Sequence, residues 1–220
     1  MFLKRNGIIV FTAVFLIIVG CSGPTNQGSN DRNFSNSRYG ISFSYPENLL
    51  EYTAKDSILS IPGSSFTNVD LGSMYASTFV GVINLKVSWP MSKKSASDLA
   101  TAIRSAYISG NAQYLSTDTA TINGNTAARV YYTDSLAGLA VKNVITLITY
   151  NSTLFFMEAF CFPDDFSNFQ TNILNKIWST ISLEKGTVMA KTKACAIESN
   201  LLDVMKLFAT QCKDQRDFKK

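Results

Sequence analysis

Cys21 is the residue whose chemistry its neighbours specify most sharply. It follows Ile18-Val19-Gly20 at the end of an apolar run from Ile8 to Val19 that only Thr12 interrupts, and Lys4 and Arg5 precede that run. A basic start followed by a short apolar stretch reads as a removable signal, since a bilayer-spanning helix needs about 20 apolar residues. The branched aliphatic at 18, the small residue at 20 and the thiol at 21 match a lipobox. There the cysteine sulfur takes a diacylglycerol as a thioether, and the new amino terminus is often acylated, commonly with palmitate. Two or three chains, at about 0.8 kcal/mol per buried methylene, hold a protein stably on a membrane, whereas one chain binds only marginally. The alternative is an ordinary secretory peptide with an incidental cysteine.

Other reactive constellations are sparse. The 220 residues contain no histidine, which removes the usual general base, the usual activator of serine or cysteine, and the commonest zinc ligand. No nucleophile elbow, phosphate loop or dinucleotide fingerprint occurs. Ser92, Lys93 and Ser95 form a serine–lysine grouping, but these residue types are common at a helix start. Asp164 and Asp165 could contribute to a calcium site; no D-x-D-x-D-G loop accompanies them, so capping of the following helix is the expected role. Glu158 interrupts an apolar strand and, if buried, needs a partner such as Arg129 or Lys142; a place on a half-exposed sheet face, rather than in a ligand groove, is expected. No catalytic residue, cofactor or metal is therefore expected, and a hydrolase working without histidine is the weakest reading.

Beyond Cys21 there are three cysteines, an odd number for an exported chain. Cys161 reads as a small core residue. On one straight helix Cys195 and Cys212 would lie roughly 25 Å apart, beyond the about 7 Å limit for a disulfide, so they bond only if that helix folds back.

Charge is modest and uneven. Removing Lys4 and Arg5 from the 20 basic residues leaves 18 against 16 acidic, or +2. Residues 185–220 carry eight basic and four acidic residues, and 21–184 carry ten and twelve. No nucleic-acid partner is expected. The basic tail could favour an anionic lipid surface, but its interleaved acids suit a solvated helix face better. Ser22 to Ser37 is rich in Ser, Asn and Gly and reads as a flexible tether with a mean reach of about 20 to 25 Å.

The body begins with alternation: Tyr39, Ile41, Phe43 and Tyr45 against Gly40, Ser42 and Ser44, closed by Pro46. Short strands are expected at 49–53 and 57–61, and a longer one at 79–89 whose polar face carries Asn84, Lys86 and Ser88. Ser95 and Asp98 open an amphipathic helix that Gly110 terminates. Strands at 113–122 and 126–133 flank Asn123-Gly124, a tight-turn pair, and strands at 141–150 and 153–162 flank Asn151-Ser152. A helix follows with the stripe Phe166, Phe169, Ile173, Ile177 and Ile181, then a short strand within 179–183. A tail helix is expected from about 188 to 210, with Ile197, Leu201, Met205 and Phe208 on one face docking on the body or on a partner. The fold class is α+β, an antiparallel sheet flanked by helices with an added C-terminal helix.

The opening Tyr39-Gly40-Ile41-Ser42-Phe43-Ser44-Tyr45-Pro46, the mid-chain Ile122-Asn123-Gly124-Asn125-Thr126-Ala127 and the closing helix from Asp165-Phe166 through Ile173-Leu174-Asn175-Lys176-Ile177 resemble the PsbP-like family. The resemblance spans residues 38–185 and implies an α/β/α sandwich used mainly for binding. Members include the extrinsic PsbP subunit of photosystem II, a nuclear-transport factor that binds a small GTPase, and many bacterial lipoproteins. The photosynthetic role is not carried over, because that subunit's metal-binding positions have no residue-by-residue match here.

The expected organisation is a lipoprotein signal peptide at 1–20, a tether at 21–37, a PsbP-like domain at 38–185 that folds alone as a monomer, and a helical extension at 186–220. The expected function is a lipid-anchored, non-catalytic binding or accessory module. It would meet the membrane through lipidated Cys21 and an envelope protein or ligand through its body. The site is the outer face of the cytoplasmic membrane or the outer membrane, since Ser22 is not a retention signal of the aspartate kind. The alternative is an assembly component docking through its tail helix.

Overall fold

The computed structural model describes residues 31–47, 50–59, 67–89, 91, 94–187 and 201–217. Chain contacts separate Met1–Asn30 from Asp31–Lys220. The signal segment, Cys21 and most of the expected tether lie outside the described residues, as do Ser92, Lys93 and Cys195 and the side chain of Cys212.

Among the described residues, ten strands and three helices longer than a single 3-10 turn follow in order: β1 Asp31–Asn36, β2 Ile41–Pro46, β3 Glu51–Leu59, β4 Thr67–Ala76, β5 Gly81–Trp89, α1 Ala96–Tyr107, β6 Gln113–Ile122, β7 Asn125–Leu136, β8 Leu139–Tyr150 and β9 Thr153–Cys161. Then come α2, whose segments Phe166–Phe169, Gln170–Leu174 and Asn175–Thr180 run on with a π turn in the middle, β10 Ser182–Leu183 and α3 Leu201–Asp217. β3 to β9 form one antiparallel sheet ordered β3-β4-β5-β9-β8-β7-β6, and β1, β2 and β10 form a second.

Alternation divides the large sheet into two buried faces. On the first, Ile83, Leu85 and Val87 of β5 and Phe155, Met157 and Ala159 of β9 meet Phe34, Ile41 and Phe43 of the small sheet and Phe166, Phe169, Ile173, Leu174, Ile177, Trp178 and Ile181 of the α2 region. On the second, Val130 and Tyr132 of β7, Ile145 and Leu147 of β8 and Phe156 of β9 meet Leu99 and Ile103 of α1 and Leu201, Val204, Met205 and Phe208 of α3. The sheet is thus sandwiched, as the α+β reading expects.

Local signals explain most of the elements. The Ser95 hydroxyl accepts from the Asp98 N–H at 3.1 Å while the Asp98 carboxylate accepts from the Ser95 N–H at 3.1 Å, a complete capping box for α1. Asn123 and Gly124 take φ of 47° and 78°, the conformation a two-residue hairpin needs. Gly40 has φ +70°, and a Cβ there would run into the Glu184 carbonyl and stand 2.7 Å from the Gly186 nitrogen. The glycine of the opening motif thus lets the chain beyond β10 cross β2, where the Glu184 N–H donates to the Gly40 carbonyl at 2.7 Å.

Several expectations are corrected. Asp31–Asn36 is a strand paired with β2, with Phe34 stacked on Phe43 at 4.7 Å, so the folded part starts inside the expected tether. One aromatic ring on a partner strand outweighs the polar composition around it. β4 went unrecognised because a register shift between Asp70 and Gly72 breaks its alternation. β7 and β8 run on to a turn at Ala137-Gly138. The tail helix is described from Leu201 to Asp217, the expected stretch 188–200 with Ile197 lying outside the described residues; Leu201, Met205 and Phe208 are buried against the body, so the core extends beyond 38–185 on both sides.

Candidate functional site

Glu158 lies on β9, the central strand of the seven, and is 0% exposed, not half exposed. Both faces of that strand are covered, so no position along it reaches solvent. Asn84 Nδ2 donates to Glu158 Oε2 at 3.2 Å from the adjacent β5, and the Tyr132 hydroxyl lies 3.5 Å from Oε1. Neither expected partner serves. Alternation puts Arg129 and Lys142 on the opposite face, where Arg129 pairs with Asp118 and stacks on Trp178 at 4.5 Å, and Lys142 sits 4.7 Å from the Phe166 ring.

Around Glu158 the second face carries a polar strip. Register sets Asn84 beside Ser73 and Glu158, Lys86 beside Asp70 and Phe156, and Ser88 beside Asn68 and Leu154. The Ser73 hydroxyl donates to Asn84 at 2.9 Å, and Lys55 pairs with Asp70 at 3.0 Å. Lys86 is 1% exposed; its ammonium lies 5.6 and 5.4 Å from the Phe156 and Phe208 rings and donates to the Phe208 carbonyl at 3.4 Å. The β5 alternation marked Asn84, Lys86 and Ser88 as polar but said nothing of what covers them. The unbroken apolar run of β9 was the available signal, since a strand buried on both sides loses its alternation. This strip can orient and rigidify, and its Lys86 is covered by Phe208 of α3.

Ser95 is committed to the capping box, and the hydrogen bonds from its hydroxyl and its N–H hold the Asp98 carboxyl below its ordinary range. Asp165 occupies the cap position of α2 without a side-chain capping bond; the turn before the helix closes instead through Asp165 N–H to Phe162 and Phe166 N–H to Pro163. Cys161 is a free, buried thiol whose pKa is pushed up to about 12, chiefly by burial and also by Asp165. Burial also raises the Tyr131 hydroxyl. A cavity of ≈ 10 Å³ between the two sheets is lined by Phe43, Leu71, Leu85, Phe155 and Met157; that is about the space of one water.

The outer surface has one polarised feature. Among the described residues the exposed large apolar side chains are Tyr75, Val80, Tyr114, Leu115 and Leu139, 41 to 57% exposed. Register brings all five to one end of the large sheet: Tyr75 and Val80 at the β4–β5 turn, Leu139 beside the β7–β8 turn, Tyr114 and Leu115 at the start of β6. Leu115 sits at a register shift, and Val80, a β-branched residue, takes φ 47°, a conformation such residues rarely adopt. The hairpin turns at Asn123-Gly124 and Asn151-Ser152 lie at the other end.

No protein-family profile matches the chain, and no curated protein sequence does. Solved structures do. The cyanobacterial PsbP protein CyanoP of Synechocystis sp. PCC 6803 is 10% identical, with a TM-score of 0.50 over 76% of this chain and 99% of that one. LpqN of Mycobacterium tuberculosis, described as involved in cell envelope biogenesis, is 10% identical, with a TM-score of 0.43 over 71% and 87%. The Saccharomyces cerevisiae Ran-binding protein Mog1p is 10% identical, with a TM-score of 0.41 over 70% and 96%. The antiparallel sheet, the helices on both its faces and the superposition along almost all of CyanoP together make this a PsbP-like fold.

Proposed function

We propose that the chain is a lipid-anchored protein of the cell envelope whose body is a non-catalytic binding or accessory module. The observation that carries the reading is the distribution of polarity. Glu158, Lys86 and Asn84 are sealed inside, while the exposed apolar side chains gather at one end of the sheet. Such a body offers a docking end rather than a reactive cleft. The lipobox around Cys21 supports the anchor and the envelope location. The alternative, assembly through the tail helix, would have to use residues other than Leu201, Met205 and Phe208, which are buried against α1 and the sheet.

Labelling cells with a radioactive fatty acid tests the anchor: the wild-type chain should take up label, and Cys21→Ala should accumulate as precursor or be released unlabelled. Label persisting in the variant would sink the assignment. A broad hydrolase screen tests the absence of catalysis, and turnover by the purified chain would overturn it.

A further inference from the structure

We infer that the end of the sheet carrying Tyr75, Val80, Tyr114, Leu115 and Leu139 rests on the lipid bilayer, an inference that builds on the anchor at Cys21. The residue types suit the boundary between water and hydrocarbon. The two tyrosines combine an apolar ring with a polar tip, and the valine and the leucines sit at or beside hairpin turns and a bulge. Five strand spacings separate β4 from β6, so the apolar residues form a line of about 24 Å.

The position of the chain's first described residue selects the bilayer over another occupant. Asp31 pairs with Pro46, and Glu51 of β3, five residues further, pairs with Tyr75. Paired Cα atoms lie about 5 Å apart and five residues span at most about 18 Å, which puts Asp31 within about 28 Å of Tyr75. Tyr39, at the opposite end of β1 and β2, packs on Trp89 at the far end of the large sheet, so β1 starts on the side directed away from that end. Nine residues separate Cys21 from Asp31, a reach of at most about 35 Å. A lipid on Cys21 and the apolar end can therefore meet one bilayer. The tether also supplies a high local concentration, so a weak surface contact is enough.

Charge decides the kind of lipid. Among the described residues at this end Arg104 and Lys142 stand against Glu51, Asp134, Asp164 and Asp165, so anionic headgroups gain nothing. The contact is apolar, satisfied by zwitterionic lipid and insensitive to salt.

The test uses the full-length lipidated chain in phosphatidylcholine vesicles with brominated acyl chains, which quench nearby tryptophan. Leu139→Trp and Leu115→Trp should each lose most of their added emission, in low and high salt alike, while Ser152→Trp at the other end keeps its own. The native Trp89 and Trp178 give a constant background. Mass spectrometry of the same samples reports the diacylglycerol on Cys21. Its absence overturns the anchor and this inference together; its presence without quenching at 139 and 115 overturns the docking alone. Quenching at 152 as well, quenching abolished by salt, or unquenched body that sediments as a dimer would each also overturn it, the last by assigning the apolar end to a second copy.

Discussion

Lys86 on β5 donates to the main-chain carbonyl of Phe208 on α3 at 3.4 Å, a contact across 122 residues of sequence. A lysine ammonium inside the body is thus covered by the tail helix, with the Phe208 ring on one side and the Phe156 ring on another. Removing α3 would uncover that strip together with Leu147, Ile145 and the inner face of α1.

The fragment 31–187 should therefore lose cooperative unfolding. In the full chain, Phe208→Ala should cost about 3 to 5 kcal/mol, the range for deleting a fully buried aromatic ring. Urea denaturation followed by circular dichroism measures both. An unchanged midpoint in the fragment would show that the tail adds nothing to the core.

At Glu158 the expected effect is also on stability. Glu158→Ala removes the acceptor of the Asn84 amide and leaves a cavity in the central strand, at a cost of about 2 to 4 kcal/mol; Glu158→Gln, which keeps the shape, should cost less. Denaturant midpoints of the two variants decide this, and equal losses would mean that the charge and hydrogen bonding of the carboxylate, and not packing, are the role of the residue.

The α1 cap predicts a pH dependence. The Asp98 carboxyl is held below its ordinary value, first by the Ser95 hydroxyl and then by the Ser95 N–H. A depressed folded-state pKa contributes stability above the unfolded pKa and loses it as the pH falls through the folded one. Asp98→Ala should therefore melt earlier than wild type at neutral pH, with the gap narrowing as the medium becomes more acid than the ordinary carboxylate range. A gap of constant size across the pH series would exclude the ionised carboxyl as the capping group.

Gly40→Ala should destabilise by about 2 to 4 kcal/mol, because the residue has φ +70° and its added methyl meets the Glu184 carbonyl. Gly124→Ala, at φ +78° with nothing within 4 Å of the added carbon, should cost less. Thermal unfolding of both variants ranks them; the reverse order would place the opening glycine outside the β2 crossing.

Much of the fold was legible because its signals are local. The capping box at Ser95 and Asp98, the Asn123-Gly124 turn, the strict alternation of β2 and the apolar stripe of α2 each need only a few neighbouring residues to take effect. The tertiary structure alone decided what depends on covering and register. Arg129 and Lys142 were placed across the sheet from Glu158 by parity, and Lys86 was buried because a distant helix closes over β5. Phe34 turned a polar segment into a strand by finding Phe43, and five apolar residues scattered through the chain from 75 to 139 came to one end because strand pairing aligned them. Sequence states which side chains alternate; which of the two faces meets water depends on elements that arrive from elsewhere in the chain.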